Sequence, residues 1–162
     1  MDDATAFQIA LVTGSAQLAD ITAGLLDRLP AWFGIPEANA EYVKSATRLP
    51  GLVARTGPEP IGVLLYRRHF LEAAEIHLMA VAPSWHRRGV GRALVDALVS
   101  DVTADGCQAL QVKTLGATHP NPGYAKTRAF YRSVGFLPLE ETDELWPGNP
   151  CLIMVRWLPR SD

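Results

Sequence analysis

The run EIHLMAVAPSWHRRGVGRAL, from Glu75 to Leu94, constrains this chain more than any other segment. Ala74 to Ala82 predicts a strand, and Gly89 to Thr103 an amphipathic helix with Val90, Leu94, Ala97, Leu98 and Val102 on one side and Arg92, Asp96 and Asp101 elsewhere. A strand that feeds a helix through a basic, glycine-spaced turn makes an anion site. The first-turn amides have no intrahelical acceptor, and the helix dipole places about half a positive charge there. Gly89 and Gly91 let a phosphate approach the backbone closely. The spacing excludes two familiar phosphate loops: Leu94 stands where a dinucleotide fingerprint needs its third glycine, and no GK[ST] follows for a nucleoside triphosphate.

Around this segment the periodicity places further elements. Phe7 to Thr13 reads as a strand and Gln17 to Leu29 as a helix, with Leu18, Ile21, Leu25 and Leu29 on one face and Pro30 at its end. Pro36 opens a second helix to about Arg48. Leu52 to Arg55, Ile61 to Phe70 and Ala74 to Ala82 form three successive antiparallel strands. Ala109 to Leu115 is a strand, Gly116 to Gly123 a loop, and Lys126 to Val134 a helix ended by Gly135. Phe136 to Glu141 and Cys151 to Leu158 complete the order β-α-α-β-β-β-α-β-α-β-β, an α/β (α+β) mixed sheet.

With 162 residues, 48% hydrophobic and 20% charged, and no linker or repeat, residues 1–162 are expected to form one domain with a substantial core. A net charge of -2 supplies no overall field for nucleic acid. The acidic Met1–Thr5 start and the absence of a long apolar run point to the cytoplasm and away from membranes. Cys107 and Cys151 read as buried, reduced thiols, and no spacing supports a metal. His119 is expected to be exposed in its loop. There is no GxSxG, no HExxH and no Cys–His nucleophile pattern.

A second constellation, AFYRSVGF at Ala129–Phe136, joins HRRGVGRAL at His86–Leu94. Together they resemble the GNAT superfamily of acyl-CoA-dependent N-acetyltransferases, whose motif is Gln/Arg-x-x-Gly-x-Gly/Ala with a later Tyr before Gly-Phe. The resemblance implies a mostly antiparallel sheet with helices on both faces, and acetyl-CoA as co-substrate without a metal. By position, backbone amides of Arg87, Arg88, Gly89, Val90, Gly91 and Arg92 hold the pyrophosphate of coenzyme A. Met79 and Val81 meet the pantetheine arm through their backbone, and Met79 or Ala80 polarises the thioester carbonyl. Two departures stand out: His86 replaces the usual Gln or Arg, and Tyr124 stands where members often carry Asn, with Asn121 nearby in the loop.

The resemblance makes Tyr131 the acid that protonates the departing thiolate. The incoming ammonium needs a base, and Glu75 and His77, two apart on one strand, point the same way as Met79 and Val81. Either serves. Trp32, between the early helices, and the Glu140–Trp146 segment with Glu141 and Trp146 are expected to wall the acceptor, a primary amine of a small molecule or peptide. A homodimer through a sheet edge is among the expected partners. A reading from another class is a catalytically silent acyl-CoA sensor or interaction module on the same fold.

Overall fold

Eleven elements follow the expected order: β1 (Gln8–Val12), α1 (Ala16–Asp27), α2 (Pro36–Ser45), β2 (Gly51–Thr56), β3 (Glu59–Phe70), β4 (Ala73–Val81), α3 (Val90–Ala104), β5 (Ala109–Leu115), α4 (Pro122–Ser133), β6 (Leu137–Trp146) and β7 (Asn149–Trp157). The computed structural model describes residues 6–160, so the acidic Met1–Thr5 start lies outside the described residues. The strands form one seven-stranded sheet in the order β1-β2-β3-β4-β5-β7-β6. The β4–β5 pair is parallel, while β1–β2, β2–β3, β5–β7 and β6–β7 are antiparallel. The chain divides into two compact units, Met1–Arg67 with Leu78–Ser100 and Arg68–His77 with Asp101–Asp162.

In the first unit α1 starts because Ser15 caps it, its hydroxyl accepting the Leu18 N–H at 3.1 Å. The stripe Leu18, Leu25 and Leu26 then buries against Val53, Val63 and Leu65 of the sheet, together with Leu78 and Ala80 of β4. The opposite face of the same strands receives α3. A Cβ on Gly62 would stand 3.0 Å from Val90 Cγ1 and 3.2 Å from Leu94 Cδ1, so the helix rests on bare backbone at that point. Helices therefore cover both faces of this unit.

In the second unit the parallel ladder runs from Ala73↔Ala109 to Ile76↔Val112 and stops there. Residues His77–Val81 of β4 lie beyond it. Phe136, Leu110 and Met154 are fully buried in this unit, and both cysteines are free and buried. Three expectations change here. Helix α4 starts at Pro122 rather than Lys126, because the Asn121 side chain accepts the Gly123 N–H at 3.0 Å and proline fits the first turn. Strand β6 runs on to Trp146 rather than ending at Glu141, and the chain reverses at Gly148 with φ 76°. His119 is half-buried rather than exposed, with Nδ1 shielded from solvent.

Among the described residues no helix is long and apolar enough to cross a membrane, and no cluster of His, Cys, Asp or Glu is arranged to hold a metal. The seat of α3 on Gly62 gives the first prediction. Gly62→Val is expected to lower stability by about 1–3 kcal/mol through overpacking, read as a lower urea midpoint at unchanged slope; an unchanged midpoint would show that α3 is not seated there.

Candidate functional site

In the first unit, β4 leads through a 3₁₀ turn at Pro83–Trp85 into the mouth of α3. Arg87 has φ 61° and Gly89 φ 85°, so two residues of the short connection adopt left-handed backbone. Glycine does so freely. Arginine does not, and a non-glycine residue held there marks a turn whose shape is fixed by its surroundings. Alternating handedness tips successive amides toward one side, making a concavity suited to an anion. The first helical hydrogen bond runs from Ala93 N–H to Gly89 O at 3.0 Å, so the preceding amides open α3.

Nothing lies within 4 Å of the position a Cβ would take on Gly89, which leaves the backbone open to close approach. Arg87, Arg88 and Arg92 are exposed, Gly91 is half-buried, and the Val90 side chain is anchored in the core. The Arg88 guanidinium stacks on Trp85 with its carbon 3.9 Å from the ring centroid. His86 turns back: its Nε2–H donates to Val81 O at 2.7 Å, and its ring meets Trp32 edge-on at 5.5 Å. Trp32 itself is half-buried against the α1 core.

Strand β4 alternates as the sequence predicts. Ala74, Ile76, Leu78 and Ala80 are buried, while His77, Met79 and Val81 are half-buried on the other side. Glu75 shares their side yet is only 7% exposed. In the second unit its Oε1 accepts His69 Nε2–H at 2.8 Å, Gln111 Nε2–H at 2.7 Å and Lys113 Nζ at 3.2 Å, and Lys113 also reaches Oε2 at 3.3 Å. Burial pushes the Glu75 carboxyl up, but the donations from His69 and Gln111 and the charge and hydrogen bond of Lys113 outweigh it, holding the group below its ordinary value. Glu75 is thus a stabilised carboxylate. A surface cavity of about 310 Å³ beside it is lined by His69, Phe70, Gln111, Leu139 and neighbouring small residues, so the donors border open space.

Tyr131 is buried, its ring edge-to-face with Phe130 at 5.3 Å and with Phe136 at 5.4 Å. Burial raises the hydroxyl pKa of Tyr124. The Cys151 thiol is pushed up by burial, with Lys113 lowering it and Glu75 raising it. Glu141 lies exposed on β6 with its carboxyl over the Gly116 backbone, where any Cβ would collide with it. Trp146 is half-buried at the end of the same strand. Asn121, near the position where members often carry Asn, spends its side-chain oxygen on the α4 cap.

Sequence reasoning missed His69, Gln111 and Lys113. The signal was available in part, since Gln111 and Lys113 alternate with apolar residues on β5, and a carboxylate on a strand side needs donors. The parallel pairing that brings Gln111 opposite Glu75 was not legible.

Comparison with known proteins agrees with this geometry. The model of the Acetyltransferase (GNAT) family matches residues 23–136, and the chain belongs to that family. Among solved structures, a GNAT-family acetyltransferase from Desulfovibrio desulfuricans superposes with TM-score 0.79 at 22% identity, over 95% of this chain and 100% of that one. The ribosomal-protein-S18-alanine N-acetyltransferase from Escherichia coli gives TM-score 0.75 at 16% identity, covering 96% and 97%. A GNAT family acetyltransferase from Elizabethkingia anophelis with acetyl-CoA bound gives 0.69 at 17% identity, covering 94% and 98%. A comparison with curated proteins found no match. The resemblance read from HRRGVGRAL and AFYRSVGF is therefore correct, and so is the mixed α/β fold it implied.

The Glu75 network carries its own prediction. A carboxyl titrating below its unfolded value contributes stability that is in place above the ordinary carboxylate range and is lost as pH falls through the folded value. Glu75→Gln should cost about 1.5–3 kcal/mol at neutral pH, and the gap from wild type should narrow as pH falls below the ordinary carboxylate range toward the lower folded value. Urea midpoints from pH 7 to pH 3 check this; a gap independent of pH would mean that Glu75 is not held ionised.

Proposed function

We propose that residues 1–162 work as one N-acetyltransferase domain that moves an acetyl group from acetyl-CoA to a primary amine of a small molecule or peptide by direct attack. The observation that carries the reading is the left-handed pair Arg87 and Gly89 at the mouth of α3 in a chain of this family. Amides from Arg87, Arg88, Gly89, Val90, Gly91 and Arg92 hold the pyrophosphate, as the open space over Gly89 and the dipole of α3 favour. The backbone of Met79 and Val81 receives the pantetheine arm as an added strand, and an amide at Met79 or Ala80 polarises the thioester carbonyl. Support comes from the early end of the β4–β5 ladder at Ile76 and from the acetyl-CoA bound in the Elizabethkingia neighbour.

The acceptor nitrogen gives up a proton, attacks the thioester carbonyl carbon, and forms the C–N bond as the C–S bond breaks. The second proton leaves the nitrogen for water with the collapse to amide, and the thiolate takes a proton from the Tyr131 hydroxyl, which regains one from water. For the first proton β4 offers Glu75 and His77. The donors on Glu75 favour its anion and weaken it as a base, so His77, an imidazole suited to neutral pH, takes the proton while Glu75 supplies negative charge nearby. Trp32, Glu141 and Trp146 contact the acceptor, the tryptophans its apolar body and Glu141 its charge. The protein acts in the cytoplasm.

Acetyl-CoA at a hundredfold over its dissociation constant should stabilise the protein by ~2.7 kcal/mol, with no comparable shift from ATP or NAD in thermal denaturation. Thiol release in an amine panel should be sustained, and Tyr131→Phe should slow it about a hundredfold. Binding without amine-dependent release would favour the silent sensor. In pH–rate profiles, His77→Gln should remove the neutral-range limb of kcat/KM and Glu75→Gln should keep its shape; the reverse result returns the base to Glu75.

A further inference from the structure

The turn that opens α3 contains a contact its anion-binding role does not require. Ala82 N–H donates to Ile61 O on β3 at 2.8 Å, so strand alternation turns the N–H and C=O of Val81 to the edge away from β3. That edge is where the proposed added strand would run. There the imidazole of His86 stands, its Nε2–H on the Val81 carbonyl at 2.7 Å. A donor from an incoming ligand strand would approach the same oxygen at about 2.9 Å, through space the ring occupies. The 3₁₀ turn makes the contact possible: the His86 N–H bonds Pro83 O at 3.2 Å, which folds the chain back over the strand end, and Arg87 escapes only by taking φ 61°.

The same ring has a second neighbour. His86 and Trp32 meet edge-to-face with centroids 5.5 Å apart and planes at 83°, and Trp32 N–H is tied to Leu29 O at the end of α1 at 3.1 Å. One side chain thus touches both the strand edge assigned to pantetheine and the tryptophan assigned to the acceptor wall.

We propose that His86 is a positioning residue that closes the Val81 edge, gives way when the pantetheine arm docks, and in moving off Val81 changes its seat on Trp32, so that acyl-CoA binding prepares the acceptor wall. The proposal rests on the acyl-CoA reading above. It explains the departure at this motif position: a ring serves as both plug and contact.

The test is calorimetric titration of the full chain and its variants with CoA and with ADP, which lacks the pantetheine arm. His86→Ala should bind CoA about three- to tenfold more tightly than wild type, the gain expected when one competing hydrogen bond is removed, and should bind ADP unchanged. His86→Gln, which keeps a donor for Val81 without a ring, should fall between them. Trp32 emission, taken as the difference between wild type and Trp32→Phe, should respond to CoA in wild type and not in His86→Ala, and KM for the amine should rise in that variant. Equal or weaker CoA binding by both His86 variants, or a CoA response of Trp32 that survives His86→Ala, overturns the proposal. Failure of wild type itself to bind CoA overturns instead the acyl-CoA reading on which it rests.

Discussion

The structure depends on a single strand that must satisfy opposite demands on its two sides. Along β4, Ala74, Ile76, Leu78 and Ala80 are sealed into the core, while Glu75, His77, Met79 and Val81 alternate on the other side. A one-residue slip would exchange these sets, burying a carboxylate and an imidazole among leucines and exposing the core face. Register is therefore strongly specified. It also determines which backbone groups face β3, as Ala82 does through Ile61, and which face away. The chemistry assigned to this strand, polar side chains on one side and free-edge amides, is a consequence of packing that would be needed in any case.

Glu75 shows how the second unit meets the cost of that arrangement. An isolated buried carboxylate would protonate or pull water in; here three donors from two other strands converge on it. Lys113 balances the charge, Gln111 fixes one lone pair, and His69 reaches across from the end of β3. The donors come from strands on either side of β4 in the sheet order, so the network also ties neighbouring strands together in this unit. His69 and Gln111 border a cavity, which places a stabilised negative charge close to, yet shielded from, solvent.

What the sequence made legible follows from locality. Strand and helix order could be read because apolar spacing, Pro30, Pro36 and Gly135 are local signals. Beta strand β5 was read to the residue, since Ala109–Leu115 is bounded by turn chemistry at both ends. The start of α4 is ambiguous in sequence, because Asn121-Pro122 fits a loop as well as a cap followed by a first-turn residue. The continuation of β6 from Thr142 to Trp146 was hidden by its charges, which have low strand propensity but suit an edge where they discourage pairing with another chain. For the site, Glu75, His77 and the HRRGVGR turn were visible as residues. The donors to Glu75 and the reach of His86 to Val81 depend on long-range pairing and on a 3₁₀ turn, and no local pattern encodes either.

The same physics that stabilises Glu75 limits what it can do. Each donor that lowers its pKa favours the ionised form, and a base whose conjugate acid is strengthened gains less from taking a proton. A carboxylate at this position becomes a stronger base only as its donors are withdrawn and burial prevails, because burial alone acts in the opposite direction. The balance is therefore set by the strands beside β4 rather than by β4 itself: His69 of β3 with Gln111 and Lys113 of β5 decides whether the carboxylate stays an anchor with a fixed charge. With these donors in place the carboxylate is held as an anchor with a fixed charge, below its ordinary titration range.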